Sequence, residues 1–300
     1  MAGTISADWI AVEVLQGGTL LQGWAIGAEG EVLAQAQGNG GDLESAVLQL
    51  AGGWLAQGRA TPVLVSGAAA GLRAVPCAAL SLPLEALPAR DPRLDLRLVP
   101  GLAQRAPVTG MMRGAETRIA GVLAARPGWD GVICLPGPQT HWAELSAAEV
   151  VGFRSYMTAE LFGLIAPTLG VGPEDAVDET AFDEALAQGM ARPQALAGRL
   201  SSLRAEGVLD GPSVSAGARL WGLLIGAELA AARGWWLGRD VVIVGEGSLP
   251  RLYERALAAQ GVGAQQIDAG MATLAGLAQA RRLLRDQAAG VSPASGQPLS

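Results

Sequence analysis

Residues 131–162 constrain the fold more than any other part of this 300-residue chain. An apolar run at 131–135 leads into a Leu-Pro-Gly turn, and a second strand-like run begins near His141. A helical segment follows, introduced by Met157-Thr158. Because glycine and proline mark connections between strands, this order predicts an α/β fold in which an antiparallel hairpin precedes a helix.

A similar hairpin, with a Gly17-Gly18 turn, opens the chain at residues 9–26. Each of the two hairpins is followed by further strand and helix patterns, as expected for a layered α/β domain. The repetition predicts two similar α/β lobes. We place the N-terminal lobe at residues 1–127 and the C-terminal lobe at residues 128–300.

The rest of the chain alternates between strand and helix patterns. Strands are predicted at 9–15, 20–26, 31–37, 62–67, 94–99, 131–135, 241–244 and 265–267. Helices are predicted at 43–56, 113–125, 179–188, 193–206, 216–233, 249–260 and 272–288. The strand at 94–99 lies in a proline-rich stretch and is predicted to be an edge strand. The Gly/Pro/Ser-rich tail, 290–300, is predicted to be frayed.

The hydrophobic content raises the question of a membrane protein. Half of the residues are hydrophobic, 16% are charged, and the mean hydropathy is +0.30. The longest run without charge, 14–28, is nevertheless shorter than the about 20 apolar residues that a spanning helix needs. The N-terminus has no basic start and carries Asp8 early, unlike a signal peptide. We therefore expect a cytoplasmic protein outside the membrane, with Cys77 and Cys134 as free thiols rather than a disulfide or redox pair.

The basic residues exclude several classes of function. All 21 of them are arginine, the net charge is −7, and no basic stripe is present. Nucleic-acid binding needs clustered positive charge, so no nucleic-acid partner is expected. The absence of lysine also removes any catalytic or phosphate-binding lysine. His141 is the only histidine, which excludes a histidine metal cluster.

Five short strings carry a family resemblance. They are VPGL at 99–102, MRGAET at 112–117, CLPG at 134–137, FRSYMTAEL at 153–161 and GLLIGAE at 222–228. In order and spacing they resemble the motifs of the 2-dehydro-3-deoxygalactonokinases, which are sugar-acid kinases of the actin-like ATPase superfamily.

The resemblance implies a fold and an activity. The fold would be two actin-like ATPase lobes, ribonuclease H-like in architecture, around a central cleft. The activity would be ATP-dependent phosphorylation of the 6-hydroxyl of 2-dehydro-3-deoxy-galactonate. ATP and Mg²⁺ are the implied cofactors and the small sugar acid is the implied partner, while a homodimer is left open.

Three turns are candidates for binding the nucleotide. Turn backbones can supply hydrogen-bond donors for phosphate oxygens, and the resemblance assigns this role to the two hairpin turns and to the loop after the strand at 241–244. The predicted cofactor-binding residues are Gly17, Gly18, Thr19, Gly137, Thr140, Gly245, Gly247 and Ser248. On spacing alone, ordinary connections between elements explain these residues equally well.

Carboxylates and arginines are candidates for the chemistry. Glu116 is predicted to orient the substrate hydroxyl or the metal, with a solvated helix residue paired to Arg113 as the alternative. Glu13 is the second catalytic candidate and the metal candidate. Arg113, Arg154 and Arg204 are predicted to bind the substrate, since guanidinium groups bind carboxylates through two hydrogen bonds. Surface ion pairs are the alternative for these arginines.

Several positions depart from the family pattern. In the register that takes residues 10–13 as the strand, 17–19 as the turn and 21–24 as the return strand, Glu13 and Gln22 replace the aspartate and the arginine of the family pattern. Other departures occur at Ala115, Pro138, Gln139, His141 and Ala159. A second hypothesis is therefore a catalytically impaired paralogue that binds a ligand or a partner, and a third is an α/β binding protein unrelated to kinases. Measuring ATP·Mg binding would distinguish among them.

Overall fold

The structure, a computed structural model, describes residues 5–172, 178–211 and 213–290. The described chain forms two compact units. Unit 1 contains residues 5–129, Ala147–Val151 and 269–290, and unit 2 contains Asp130–Ser146 and the described residues of Gly152–Asp268. The predicted second lobe, 128–300, therefore includes a C-terminal helix that packs in unit 1.

Runs of strands and runs of helices follow one another along the chain. The strands are β1 Trp9–Leu15, β2 Leu20–Ile26, β3 Val32–Asn39, β4 Thr61–Ser66, β5 Leu72–Ala74, β6 Cys77–Ala78, β7 Glu85–Leu87, β8 Leu94–Leu98, β9 Gly101–Gln104, β10 Gly110–Met112, β11 Gly131–Leu135, β12 Thr140–Ser146, β13 Glu149–Tyr156, β14 Val241–Gly245 and β15 Ala264–Asp268. The helices are α1 Leu43–Ala51, α2 Ala115–Ala125, α3 Thr158–Ile165, α4 Glu179–Ala191, α5 Leu196–Leu209, α6 Ala216–Ala231, α7 Arg233–Trp236, α8 Leu249–Ala258 and α9 Ala269–Ala288.

Unit 1 is built on a mixed sheet with the strand order β3-β2-β1-β4-β8-β7. The strands β1, β4 and β8 are parallel, and the hairpin strands β2 and β3 continue the sheet antiparallel on one side. Alternate side chains of a strand point to opposite faces. Ile10 and Val12 pack on one face with Val47 of α1, so Glu13 points to the opposite face.

On that opposite face α2 packs closely against α9. A Cβ added to Gly121 would lie 1.9 Å from the carbonyl oxygen of Ala272, and one added to Gly276 would lie 2.0 Å from that of Thr117. Only glycine permits two helix backbones to approach so closely at these positions. This contact explains why the last helix belongs to unit 1 despite its distance in sequence.

Unit 2 contains a sheet with the order β15-β14-β11-β12-β13, in which β11, β14 and β15 are parallel. Its core is dominated by the buried rings of Trp142, Phe182, Trp236 and Tyr253. Helix α6 packs against α4 through Gly222, since a Cβ there would lie 2.4 Å from the carbonyl oxygen of Phe182. The glycines of the GLLIGAE string therefore serve helix packing.

Most predicted elements are confirmed, and β1, β2 and β11 have the predicted bounds. The predicted helix at 43–56 is too long, because α1 ends at Ala51 before a glycine pair and a short 3-10 turn. The predicted edge strand β8 is wrong, since β7 pairs with it on its outer side. Most of the predicted frayed tail, residues 291–300, lies outside the described residues.

Two expectations from composition concern the thiols and the membrane. Cys77 is half-buried and Cys134 is buried, and both are free thiols. None of the helices in the described ranges is long and apolar enough to cross a membrane.

Candidate active site

Three polar side chains meet where β1 and β4 end. Glu13 lies opposite Gln22 in the antiparallel pair β1–β2 and opposite Ser66 in the parallel pair β1–β4. All three residues are buried. Directly paired residues of neighbouring strands share a face, so the three side chains form one polar row on the face that α2 covers. The hairpin of β1 and β2 that the sequence predicted is confirmed.

Glu13 is engaged by an arginine from α2. The Nε and one terminal nitrogen of Arg118 lie 3.0 and 2.9 Å from Oε1 of Glu13. The carboxylate is almost fully buried and the Arg118 side chain is 17% exposed. A buried carboxylate needs such a partner, because removing a charge from water is costly. Arg118 was not predicted as a site residue, because nothing in the local sequence distinguishes it from the other arginines.

Glu116 is fully buried in the first turn of α2. Its Oε1 accepts hydrogen bonds from the N–H of Gly114 at 2.9 Å and from the hydroxyl of Thr117 at 3.2 Å. The Ser66 hydroxyl in turn donates to Thr117 at 2.8 Å. The alternative of a solvated residue paired to Arg113 is therefore wrong. Arg113 is exposed and donates instead to the carbonyl of Ala70 at 3.1 Å.

The environment of Glu116 changes its acidity. Burial raises the pKa of its carboxyl to about 7, and the neighbouring charge of Glu13 adds to the increase. The hydrogen bonds from Gly114 and Thr117 favour the ionised form and oppose this shift. A carboxyl group with a pKa near neutrality can accept a proton and release it again at physiological pH.

The two carboxylates are also candidates for holding Mg²⁺, which proteins bind through one or two carboxylates plus waters and substrate phosphates. The Oε2 atom of Glu116 is buried without a hydrogen-bond partner among the described residues, so it fits a ligand that brings positive charge or a proton. Arg118 balances part of the negative charge of Glu13, so Glu13 fits contact with the ion through a water molecule. No cluster of three or more carboxylate, cysteine or histidine side chains that could hold a metal occurs within the described ranges.

The turn between β1 and β2 carries three of the predicted phosphate-binding residues. Gly17 and Gly18 have φ angles of +67° and +100°, and a Cβ at either position would find open space. Thr19 follows them and is exposed. The positive φ angles favour glycine, and the turn leaves room for an approaching ligand.

In unit 2, two loops leave the same edge of the sheet. The turn 136–139 follows β11 and the loop 245–248 follows β14, and these strands are parallel neighbours. We call these two segments the nucleotide edge, after the role that the family resemblance predicts for them. A Cβ on Gly245 would lie 3.5 Å from the carbonyl oxygen of Pro136, which shows how closely the two segments approach. The nucleotide edge brings together four of the predicted cofactor-binding residues, which are Gly137, Gly245, Gly247 and Ser248.

Thr140 is placed differently from the other predicted cofactor-binding residues. It is fully buried, and its hydroxyl lies 2.8 Å from the hydroxyl of Tyr253. Tyr253 donates to Glu228 at 2.6 Å, and the indole N–H of Trp142 donates to the same carboxylate at 2.7 Å. Burial raises the pKa of Glu228 to about 7. The sequence-based reasoning missed this network, although a glutamate in the apolar GLLIGAE string was a signal.

The three predicted substrate arginines belong to different segments of the fold. The guanidinium carbon of Arg154 lies over the Trp235 ring, 5.9 Å from its centroid. One terminal nitrogen of Arg154 is buried without a hydrogen-bond partner among the described residues. Arg204 is exposed and lines a cavity of about 430 Å³ beside α5 and α6. Both belong to unit 2, whereas Arg113 belongs to unit 1.

Known proteins match most of the chain. The model of the 2-keto-3-deoxy-galactonokinase family matches residues 16–280. A protein of Rhizobium meliloti strain 1021, named as a probable 2-dehydro-3-deoxygalactonokinase, is 34% identical over 284 residues, covering 87% of this chain and 93% of that protein. The 2-dehydro-3-deoxygalactonokinase of Escherichia coli K12 is 32% identical over 156 residues, covering 50% of this chain and 52% of the relative.

Solved structures agree with these matches. A Sinorhizobium meliloti crystal structure assigned to a 2-dehydro-3-deoxygalactonokinase superimposes with a TM-score of 0.79 at 30% identity, covering 92% of this chain and 99% of that chain. The ADPNP-bound activator of 2-hydroxyisocaproyl-CoA dehydratase from Clostridium difficile superimposes with a TM-score of 0.56 at 11% identity, covering 96% and 99% of the two chains. The second similarity concerns the fold alone, and the fold is that of the actin-like ATPases.

Proposed function

Because the chain belongs to the 2-keto-3-deoxy-galactonokinase family, we propose that it is a sugar-acid kinase. It transfers the γ-phosphoryl group of ATP to the 6-hydroxyl of 2-dehydro-3-deoxy-galactonate. The observation that carries this proposal in the structure is Glu116, a fully buried carboxyl whose pKa lies near neutrality because of its burial. A general base is most efficient when its pKa lies near the pH at which the enzyme works.

Glu116 acts as the proton acceptor in the proposed reaction. The 6-hydroxyl oxygen forms a bond to the γ-phosphorus while its proton passes to Oε2 of Glu116. The bond from the γ-phosphorus to the bridging oxygen breaks, and ADP leaves with that electron pair. Gly114 and Thr117 hold Oε1 by hydrogen bonds, which fixes the orientation in which Oε2 receives the proton.

A magnesium ion would neutralise charge on the phosphates in such a reaction. Glu13 would hold it through a water molecule, with part of its charge balanced by Arg118. Oε2 of Glu116 is then left to accept the proton, because one oxygen atom cannot bind the ion and take up the proton in the same step.

The turns supply the remaining contacts in the proposal. Gly17, Gly18 and Thr19 contact phosphate oxygens through the backbone, and the nucleotide edge of unit 2 binds the nucleotide through Gly137, Gly245, Gly247 and Ser248. Thr140 supports the first of these segments from the interior, because its hydroxyl is engaged with Tyr253. The sugar carboxylate is bound by arginine, with Arg113, Arg154 and Arg204 as the candidates. A cytoplasmic location and a homodimer remain predictions.

The comparisons favour the kinase over a binding protein that has lost activity, since the matched relatives with assigned functions are kinases of this sugar acid. The departures at Gln22 and Pro138 predict slow turnover, because the family pattern has an arginine and a threonine at these positions. Glutamine lacks the charge of arginine, and proline has neither a hydroxyl nor an N–H to donate to phosphate. Losing one such donor commonly costs about a hundredfold in turnover. A turnover of roughly 1–100 per second, ordinary for kinases, would contradict this prediction.

The proposal is tested by steady-state kinetics with ATP, Mg²⁺ and the sugar acid. Glu116→Gln keeps the shape of the side chain but cannot accept the proton, so kcat should fall by about a hundredfold or more. The KM for Mg²⁺ should rise only if the carboxylate also contacts the metal. Glu44→Gln is the matched control, since Glu44 is a buried carboxylate of unit 1 that binds Arg90 on α1's side of the sheet. Equal kcat values for Glu116→Gln and Glu44→Gln would refute the assignment.

A further inference from the structure

Glu228 on α6 is a buried carboxyl that the proposed reaction does not use. It is 4% exposed, and it accepts hydrogen bonds from three different structural elements. The indole N–H of Trp142 on β12 donates at 2.7 Å and the hydroxyl of Tyr253 on α8 at 2.6 Å. The hydroxyl of Thr158, at the start of α3, is the third donor. No arginine in the described part of the chain forms an ion pair with Glu228, so neutral donors alone satisfy it.

Each donor belongs to an element that borders the nucleotide edge. Trp142 lies on β12, which begins directly after the turn 136–139. Tyr253 lies on α8, which begins directly after the loop 245–248. Thr158 opens α3, and the N–H of Glu160 on the same helix donates to the carbonyl of Pro138 at 3.2 Å.

A second hydrogen bond closes the network. Because Tyr253 donates its proton to Glu228, it accepts from the hydroxyl of Thr140, at 2.8 Å. Thr140 is the residue that directly follows the turn 136–139, so this bond ties the end of that turn to α8. A buried polar network whose members are satisfied makes its surroundings rigid.

We propose that Glu228 is a positioning residue for nucleotide binding. Through Trp142, Thr158 and Tyr253 it fixes the turn 136–139 relative to the loop 245–248, and it touches neither ATP nor the sugar acid. The ligand in this proposal rests on the proposed kinase function, whereas the positioning itself is a property of unit 2 and can be measured without any ligand.

Two variants and a matched control test the proposal. Glu228→Gln replaces an acceptor oxygen with an amide nitrogen, and Trp142→Phe removes one donor. Trp236→Phe is the control, because Trp236 is 2% exposed in the same core and its indole N–H donates to the carbonyl of Leu229 at 2.9 Å. That bond joins α7 to α6 and leads to neither segment of the nucleotide edge.

The first measurement is amide hydrogen exchange without nucleotide. In Glu228→Gln and Trp142→Phe, exchange at residues 136–141 and 245–250 should become about tenfold faster or more, as expected when a buried hydrogen bond is lost. The second measurement is kinetic. The KM for ATP should rise by about tenfold in these variants, while the KM for the sugar acid stays within about twofold. Trp236→Phe should lower the melting temperature and leave both readouts at the nucleotide edge unchanged.

A purely structural role predicts a different result. In that case Glu228→Gln and Trp142→Phe would change amide exchange at the nucleotide edge and the KM for ATP no more than Trp236→Phe does at a comparable loss of stability. That result would overturn the proposal. A wild-type protein that fails to bind ATP would refute the kinase function instead. The exchange comparison would still decide whether Glu228 holds the two segments in place.

Discussion

Replacing Glu116 with glutamine should change how the stability of the protein depends on pH. Burial raises the pKa of Glu116 from 4.5 to about 7 in the folded protein. Between these two values the folded state keeps a proton that the unfolded state has released. The folded state therefore binds more protons in this window, and the free energy of unfolding falls as the pH rises through it. Glutamine does not titrate, so Glu116→Gln removes this contribution.

The size of the effect follows from the two pKa values. A tenfold change in a protonation equilibrium corresponds to about 1.4 kcal/mol, so ionising Glu116 in the folded protein costs about 3 kcal/mol. The glutamine amide keeps an oxygen for Gly114, but its nitrogen takes the place of Oε2, which has no partner among the described residues. That unsatisfied donor costs about 1–3 kcal/mol at every pH. The pH-dependent part of the difference is therefore the diagnostic quantity.

Urea denaturation of both proteins across this pH range measures the difference. From about pH 4.5 to about pH 8, the stability of Glu116→Gln relative to wild type should rise by about 3 kcal/mol. Glu228 has a similarly raised pKa from burial, but it is present in both proteins and cancels in the comparison. The Glu13 charge and its Arg118 partner are likewise retained. A difference that stays constant over the whole range would show that Glu116 titrates normally, and would remove the basis for its role as the base.

Three further substitutions test the packing around the carboxylates. Gly276→Ala should destabilise the protein by about 2 kcal/mol in urea denaturation. The new methyl group would lie 2.0 Å from the Thr117 carbonyl oxygen and push α2 away from α9. Gly163→Ala, on an exposed helix position, is the control and should be neutral or stabilising in the same experiment. Arg118→Ala should lower the free energy of unfolding by about 3 kcal/mol, since it removes the guanidinium from a buried carboxylate. Adding Glu13→Gln should recover part of this loss of stability. Strictly additive effects of the two substitutions would contradict the pairing. Ala115→Glu should lower the melting temperature, because Ala115 is buried beside Glu116, and an unchanged melting temperature would contradict that placement.

The fold was largely predictable because its signals are local. The hairpin of β1 and β2 follows from two mostly apolar runs on either side of Gly17-Gly18, and the strand β11 follows from a continuous apolar run. The place of α9 was not predictable, since it depends on Gly121 and Gly276 meeting backbone atoms across a long separation in sequence. Pattern reasoning detects the period of a helix but not the partner of its glycines.

The candidate site was predictable only where its signals are local in the sequence. The string MRGAET pointed to Glu116, and the resemblance supplied its expected role. Its burial and its hydrogen bonds to Gly114 and Thr117 depend on how α2 covers the ends of β1 and β4. The pairing of Arg118 with Glu13 and the convergence on Glu228 join distant segments, so neither had a local signal. A single sequence gives the type of each residue but not which polar groups lose contact with water.

Identification of the reaction product tests the central claim most directly. The protein is incubated with ATP, Mg²⁺ and 2-dehydro-3-deoxy-galactonate, and the products are followed by phosphorus NMR and mass spectrometry. The kinase assignment predicts ADP together with one phosphate monoester whose phosphorus couples to the two protons of the C6 methylene group. Glu116→Gln should form that product far more slowly. Unchanged ATP after prolonged incubation, or release of inorganic phosphate without a phosphorylated sugar acid, would contradict the assignment.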